Sequence, residues 1–235
     1  MKYIPRQLGG SFLNYNFIFS TSHLIILFFV ALYLFILPKL TKNLLPYSYL
    51  IEKIICMTFI FEIILEQICL ISIGTYNTLN TLPISITRVT TYICIAIFLL
   101  KKYHLFNVFF SWSIICSIGD LIFFKSIPFE FPHILYFFYI ASRLLLLCSL
   151  VYLVSVRKFK ITSSALIDNL KACLLFFLFI FLLNTFTNAT YDYSFSNNNI
   201  YSIIIFAIVS SLTYIPAYFN DRDSFEINFR KKNKL

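Results

Sequence analysis

Seven apolar runs alternate with short polar connections along the chain: Phe17–Leu37, Leu50–Ile73, Ile84–Leu100, Leu105–Phe124, His133–Val156, Leu170–Ala189 and Ile200–Phe219. Each is close to the roughly 20 residues a helix needs to cross the hydrocarbon core of a bilayer. The pattern predicts an all-α fold, a polytopic membrane bundle of about seven transmembrane helices. The bundle occupies 17–219 as a single domain, and 220–235 form a basic tail. Pro38-Lys39 closes the first run and no small-residue cleavage site follows, so that run reads as a retained helix and not a removed signal. Pro132 breaks what precedes it and is tolerated in the first turn of the helix that His133 opens.

Composition agrees with the pattern. The 235 residues are 60% hydrophobic and only 12% charged, well outside the balance of soluble domains. The formal net charge of +9 would suit a nucleic-acid binder, but its distribution points elsewhere. Lys39 and Lys42, Lys101 and Lys102, and Arg157, Lys158 and Lys160 fall in the odd connections, and Arg222, Arg230, Lys231, Lys232 and Lys234 in the tail. The positive-inside rule then places those connections and the tail in the cytoplasm and the amino terminus outside, in the cell membrane, against the dissent of Lys2 and Arg6. The six cysteines all lie within apolar runs and form no CxxC pair, so neither a disulfide framework nor a zinc site is implied. With 4 glycines there is no Gly-rich phosphate loop, and no cofactor is expected.

Fixing the orientation lets depth be compared between helices, at about 1.5 Å of rise per residue. His23, Glu66, Gln67, Thr87, Arg88, Asp120, His133 and Asn184 then fall in the outer half of the bilayer, with Glu62 and Arg143 somewhat deeper. Ionisable groups in spans are costly, and they usually pair or line a wet cavity inside the bundle. Their shared depth points to one outward-open polar site. Two readings stay open for each member. Thr87 either caps the third helix after Pro83 or bonds back to its own backbone, as such residues commonly do, or it is a nucleophile. His133 and His23 suit the interface, Glu66, Arg88 and Asp120 suit structural ion pairs, and Asn184 suits interhelical bonding. In the chemical reading, His133 takes the Thr87 proton, and helix-start N–H groups with Arg88 or Asn184 stabilise an oxyanion.

The stretches Phe19-Ser20-Thr21-Ser22-His23-Leu24, Leu82-Pro83-Ile84, Trp112, Phe131-Pro132-His133, Asn184 and Tyr191 give a resemblance. The chain resembles the YwaF-like integral membrane proteins of bacteria. These are similar to an animal acyltransferase acting on ether phospholipids and, more remotely, to androgen-induced membrane threonine hydrolases. The resemblance implies a lipid acyl-ester hydrolase or acyltransferase with Thr87 and His133 as catalytic residues. Together with the shared polar layer, it gives His23, Glu66, Arg88, Asp120, Asn184 and Tyr191 as substrate-binding residues, and it implies membrane lipids as partners. The family pattern usually places cysteine where Thr87 stands and often histidine at Ser85, while Thr190 stands where a second asparagine is common. Those departures imply either a threonine variant or an inactive member. A transporter, a lipid-binding protein or a membrane scaffold are the alternatives.

Overall fold

The computed structural model describes residues 21–41, 45–74, 76–123, 133–187, 189–193 and 201–216. Every regular element among them is helical: α1 (Thr21–Thr41), α2 (Ser48–Ile73), α3 (Ile86–Leu99), α4, α5 (Ile134–Ser155), α6 (Ala165–Thr187) and α7 (Tyr201–Leu212). Helix α4 is composite. Phe106–Ile114 is α-helical, Ile115–Gly119 is a π turn, and Asp120–Phe123 resumes the α pitch. The order matches the seven apolar runs one for one. Among the described residues, four helices are long and apolar enough to span a membrane: α2, α4 with its leading turn, α5 and α6. Helix α3 has 14 residues, about 21 Å of rise against the roughly 30 Å of a bilayer core.

Boundaries differ from the sequence pattern at several helix ends. Helix α1 runs past Pro38 to Thr41, forgoing the one bond that proline's missing N–H would make. Helix α6 starts at Ala165 and not Leu170, which brings Asp168 and Asn169 into its first turns. The third helix is capped by Ser85, whose hydroxyl accepts from the Arg88 N–H at 3.4 Å, so Thr87 is released from that task. At the end of α2, Gly74 adopts φ 75°, the left-handed conformation that closes many helices and suits glycine. Phe131-Pro132, Asn188, and the tail from 217 onward lie outside the described residues.

Helix α4 is the hub, packing against α3, α5, α6 and α7. One core cluster joins α2 to α5 through Phe59, Cys94, Phe98, Phe109, Leu146 and Leu153. A second joins α4 to α6 and α7 around Trp112, whose ring meets Phe176 and Phe206 edge-on. A smaller one sets Val30 of α1 against Leu121, Tyr136 and Leu147. The outward faces stay apolar and exposed, as at Phe28, Phe35, Leu175 and Phe186. That is the arrangement for a bundle whose surroundings are lipid and not water.

Polar groups are not confined to one half of the bundle, as the sequence depths suggest. Where α2 begins and α3 and α5 end, the buried Glu52 receives Lys101 Nζ at 2.5 Å and Arg157 Nε at 3.0 Å. On the same side Asn107 Nδ2 donates to Thr162 and Asp168, each at 2.6 Å. Asn169 Oδ1 accepts from Trp112 Nε1 at 2.9 Å, while its amide donates to Ser210 at 2.8 Å. This second belt ties loops and helices together and leaves the other end to a different network.

Candidate functional site

Two consecutive residues of α3 found that network. Thr87 and Arg88 lie in the first turn after the Ser85 cap, and both are buried. Successive helical residues are separated by about 100° around the axis, so their side chains leave in different directions. Arg88 reaches α2. Its Nη1 donates to Glu62 Oε2 at 2.5 Å, its Nη2 to Glu62 Oε1 at 2.9 Å, and Nη2 is also bonded to Glu66. Glu62 and Glu66 are four apart and therefore share one face of α2. The planar guanidinium takes both oxygens of Glu62 in a forked pair, the strongest arrangement available to it.

Thr87 turns instead to α4, where its hydroxyl donates to Asp120 Oδ2 at 3.0 Å. The same oxygen accepts from Arg143 Nη2 at 2.9 Å and Nε at 3.2 Å, across from α5. Arg143 Nη1 donates to Ser142 Oγ at 2.9 Å, and the guanidinium lies 3.6 Å over the Tyr139 ring. Tyr139 closes the loop by donating its phenol to the Asp120 carbonyl at 3.1 Å. The π turn just before Asp120 disturbs the regular pitch of α4 at this point, a feature frequent at functional sites. Cys116 of that turn is buried, with Sγ 3.8 Å from Thr90 Oγ1, one helical turn from Thr87.

The structure thus brings together Glu66, Thr87, Arg88 and Asp120 from the sequence expectation, and adds Glu62 and Arg143 as the partners that close both networks. Those two were legible as lone intramembrane charges of opposite sign, but their greater depth set them apart from the outer group. Thr87 and Arg88 are consecutive on α3, so the two networks meet there as one. Three carboxylates (Glu62, Glu66, Asp120) and two guanidinium groups from four helices share it.

The remaining candidates are engaged differently. His133 is the N-cap of α5, where Nδ1 accepts from the Leu135 N–H at 3.2 Å. An imidazole accepting at Nδ1 is neutral and carries its proton on Nε2. Asn184 and Tyr191 hold each other: the amide donates to the Tyr191 carbonyl at 2.9 Å and accepts from the Tyr191 N–H at 2.9 Å. Next to them Thr190 bonds Asn80 of the α2–α3 connection, and Tyr191 packs in the cluster that includes Ile86. The pair therefore fastens the end of α6 to the start of α3, beside the network and not bonded into it. Burial raises the Tyr191 phenol above its ordinary value, which keeps it neutral. The oxyanion donors expected from side chains are also committed, Arg88 to two glutamates and Asn184 to Tyr191. In the first turn of α3 the Arg88 N–H is taken by Ser85, which leaves the Ile86 and Thr87 N–H groups for that role. The side chain of His23 lies outside the described residues.

The profile described as the TMEM164 family matches residues 18–219. No curated protein and no solved structure matches the chain.

Proposed function

The chain belongs to the TMEM164 family of membrane proteins, and from that premise we propose that it handles phospholipid acyl esters at the Thr87–Asp120–Arg143 network. One observation supports this reading above others. A buried threonine hydroxyl is oriented onto a carboxylate that is itself fixed by an arginine from a third helix. Hydroxyl, acceptor and orienting group is the order in which covalent acyl transfer arranges its side chains. In the step proposed, Thr87 Oγ1 attacks the ester carbonyl carbon and its proton passes to Asp120. The lipid C–O bond breaks, the departing alkoxide takes that proton, and an acyl-threonine remains for water or a second lipid alcohol. The Ile86 and Thr87 N–H groups, which have no acceptor within the helix, stabilise the developing oxyanion. His133 caps the start of α5 at the same end of the bundle. His23, Glu66, Arg88, Asn184 and Tyr191 shape the substrate's surroundings, and the likeness to YwaF-like proteins agrees with this assignment. The cell membrane, with the amino terminus outside, is the location that the distribution of basic residues favours.

A second reading has its own observation. Arg143 Nε and Nη2 both donate to the oxygen that accepts from Thr87, so three donors already occupy it. That favours a protein that binds lipid without turnover. The two part in one assay. The protein is reconstituted into vesicles of acyl-labelled phospholipid and release of fatty acid is followed, with fluorophosphonate labelling in parallel. Turnover that falls by about 10²-fold or more in Thr87→Ala supports the enzyme, since loss of an activated nucleophile removes covalent catalysis. Lipid bound but never cleaved by the wild type favours the binding protein.

A further inference from the structure

Helix α1 packs chiefly against α5 and leaves a groove of about 530 Å³ between the two. Its walls are Phe29, Tyr33 and Ile36 on one side and Tyr136, Ile140 and Leu144 on the other, with no charged group among its lining residues. We infer that this groove holds one acyl chain of a phospholipid whose ester end is delivered to the Asp120–Arg143 pair. The inference rests on the function proposed above and names where its substrate lies.

Three features commit the groove to that occupant. The volume is within the range of small-ligand sites, which are mostly apolar with a few polar groups at one end. An acyl chain is slender and apolar, and it can lie along such a cleft between two helices with side chains of both on either side. Phe29, Tyr33, Tyr136 and Phe137 supply ring faces to the cleft, and its other lining residues are aliphatic.

The groove is also continuous with the polar network. Its floor, Val30 and Tyr136, packs on Leu121, the residue after Asp120. From Tyr136 the next turn of α5 carries Tyr139, and the turn after that Arg143, so one helix face runs from the cleft to the guanidinium. A chain lying in the cleft therefore has its carboxyl end near the only cation that faces Asp120 among the described residues.

The test uses the full chain in nanodiscs of phosphatidylcholine doped with a phosphatidylcholine bearing a diazirine in one acyl chain. After irradiation, adducts are mapped by mass spectrometry. The expected result is labelling of 29–36 and 136–144 several-fold above the lipid-facing Leu174 and Leu175 of α6, and a several-fold loss of it in Ile140→Trp. Leu32→Trp fills the cleft from its open side and stands in if Ile140→Trp does not fold. Labelling spread evenly over the exposed faces overturns the inference, as does labelling unchanged by either variant, or adducts replaced by crosslinks between two copies of the chain. Thr87→Ala, run alongside, separates the two ideas. Groove labelling that persists where no lipid is ever cleaved supports the acyl site and refutes the acyl-ester function. Cleavage that continues while both tryptophan variants leave labelling untouched overturns the acyl site alone.

Discussion

Arg88 illustrates what a single residue decides. Its guanidinium is shared by Glu62 and Glu66 in surroundings that exclude water, where removing one partner of a buried pair leaves an uncompensated charge. Arg88→Met should therefore lower stability by about 3–5 kcal/mol, read as a fall in the thermal midpoint of the detergent-solubilised protein. Adding Glu62→Gln and Glu66→Gln removes the stranded charges and should restore much of that loss. A single variant as stable as the wild type would show that the pair contributes nothing. The depth of Thr87, Arg88, Glu66 and Asp120 was legible in the sequence because alternating topology fixes which end of each run faces which side. Partner choice was not legible. Whether Thr87 or Arg88 meets α2 depends on how α3 is rotated about its axis, and packing sets that rotation. The Ser85 cap is a similar case: sequence offered Thr87 for it, and the choice fell two residues earlier.

At the scale of the element, helix ends account for much of the geometry around the site. Helices α3 and α5 both finish beside a lysine in the left-handed conformation, Lys101 at φ 56° and Lys158 at φ 57°. Lys101 and Arg157 at these ends converge on Glu52, so at Lys101 the strain of a non-glycine residue is offset by pairing and by the favourable end of the helix dipole. At the opposite end, Asn184 satisfies both backbone groups of Tyr191 and holds the 189–193 segment against the start of α3. Asn184→Ala leaves those two groups unpaired, and the expected loss is about 1–3 kcal/mol. Hydrogen exchange of the Tyr191 amide checks it directly. Exchange should accelerate in the variant, and an unchanged rate would mean that the clamp is idle. The π turn in α4 escaped the sequence pattern altogether, because the run from Leu105 to Phe124 is apolar whatever its pitch.

For the molecule as a whole, apolar periodicity conveyed the number and order of helices. Sequence reasoning erred in expecting a single polar layer, since span limits drawn at Leu170 hid Asp168 and Asn169 inside α6. The bundle instead separates its polar residues by role. The end held by Glu52, Asn107 and Asn169 is fully bonded into loops and helices, while the Thr87–Asp120–Arg143 network lies beside an apolar groove open toward lipid. A bilayer enzyme acting on acyl esters requires that combination, a reactive oxygen and a place for hydrocarbon within one helix's length. Its most direct test is to mix the reconstituted protein with isotope-labelled acyl phospholipid, quench within a single turnover, and weigh the peptide that contains Thr87. An ester-linked acyl group on Thr87, absent from Thr87→Ala and reduced in Asp120→Asn, is what covalent transfer demands. A folded wild-type protein that leaves both the peptide and the lipid unmodified would refute it.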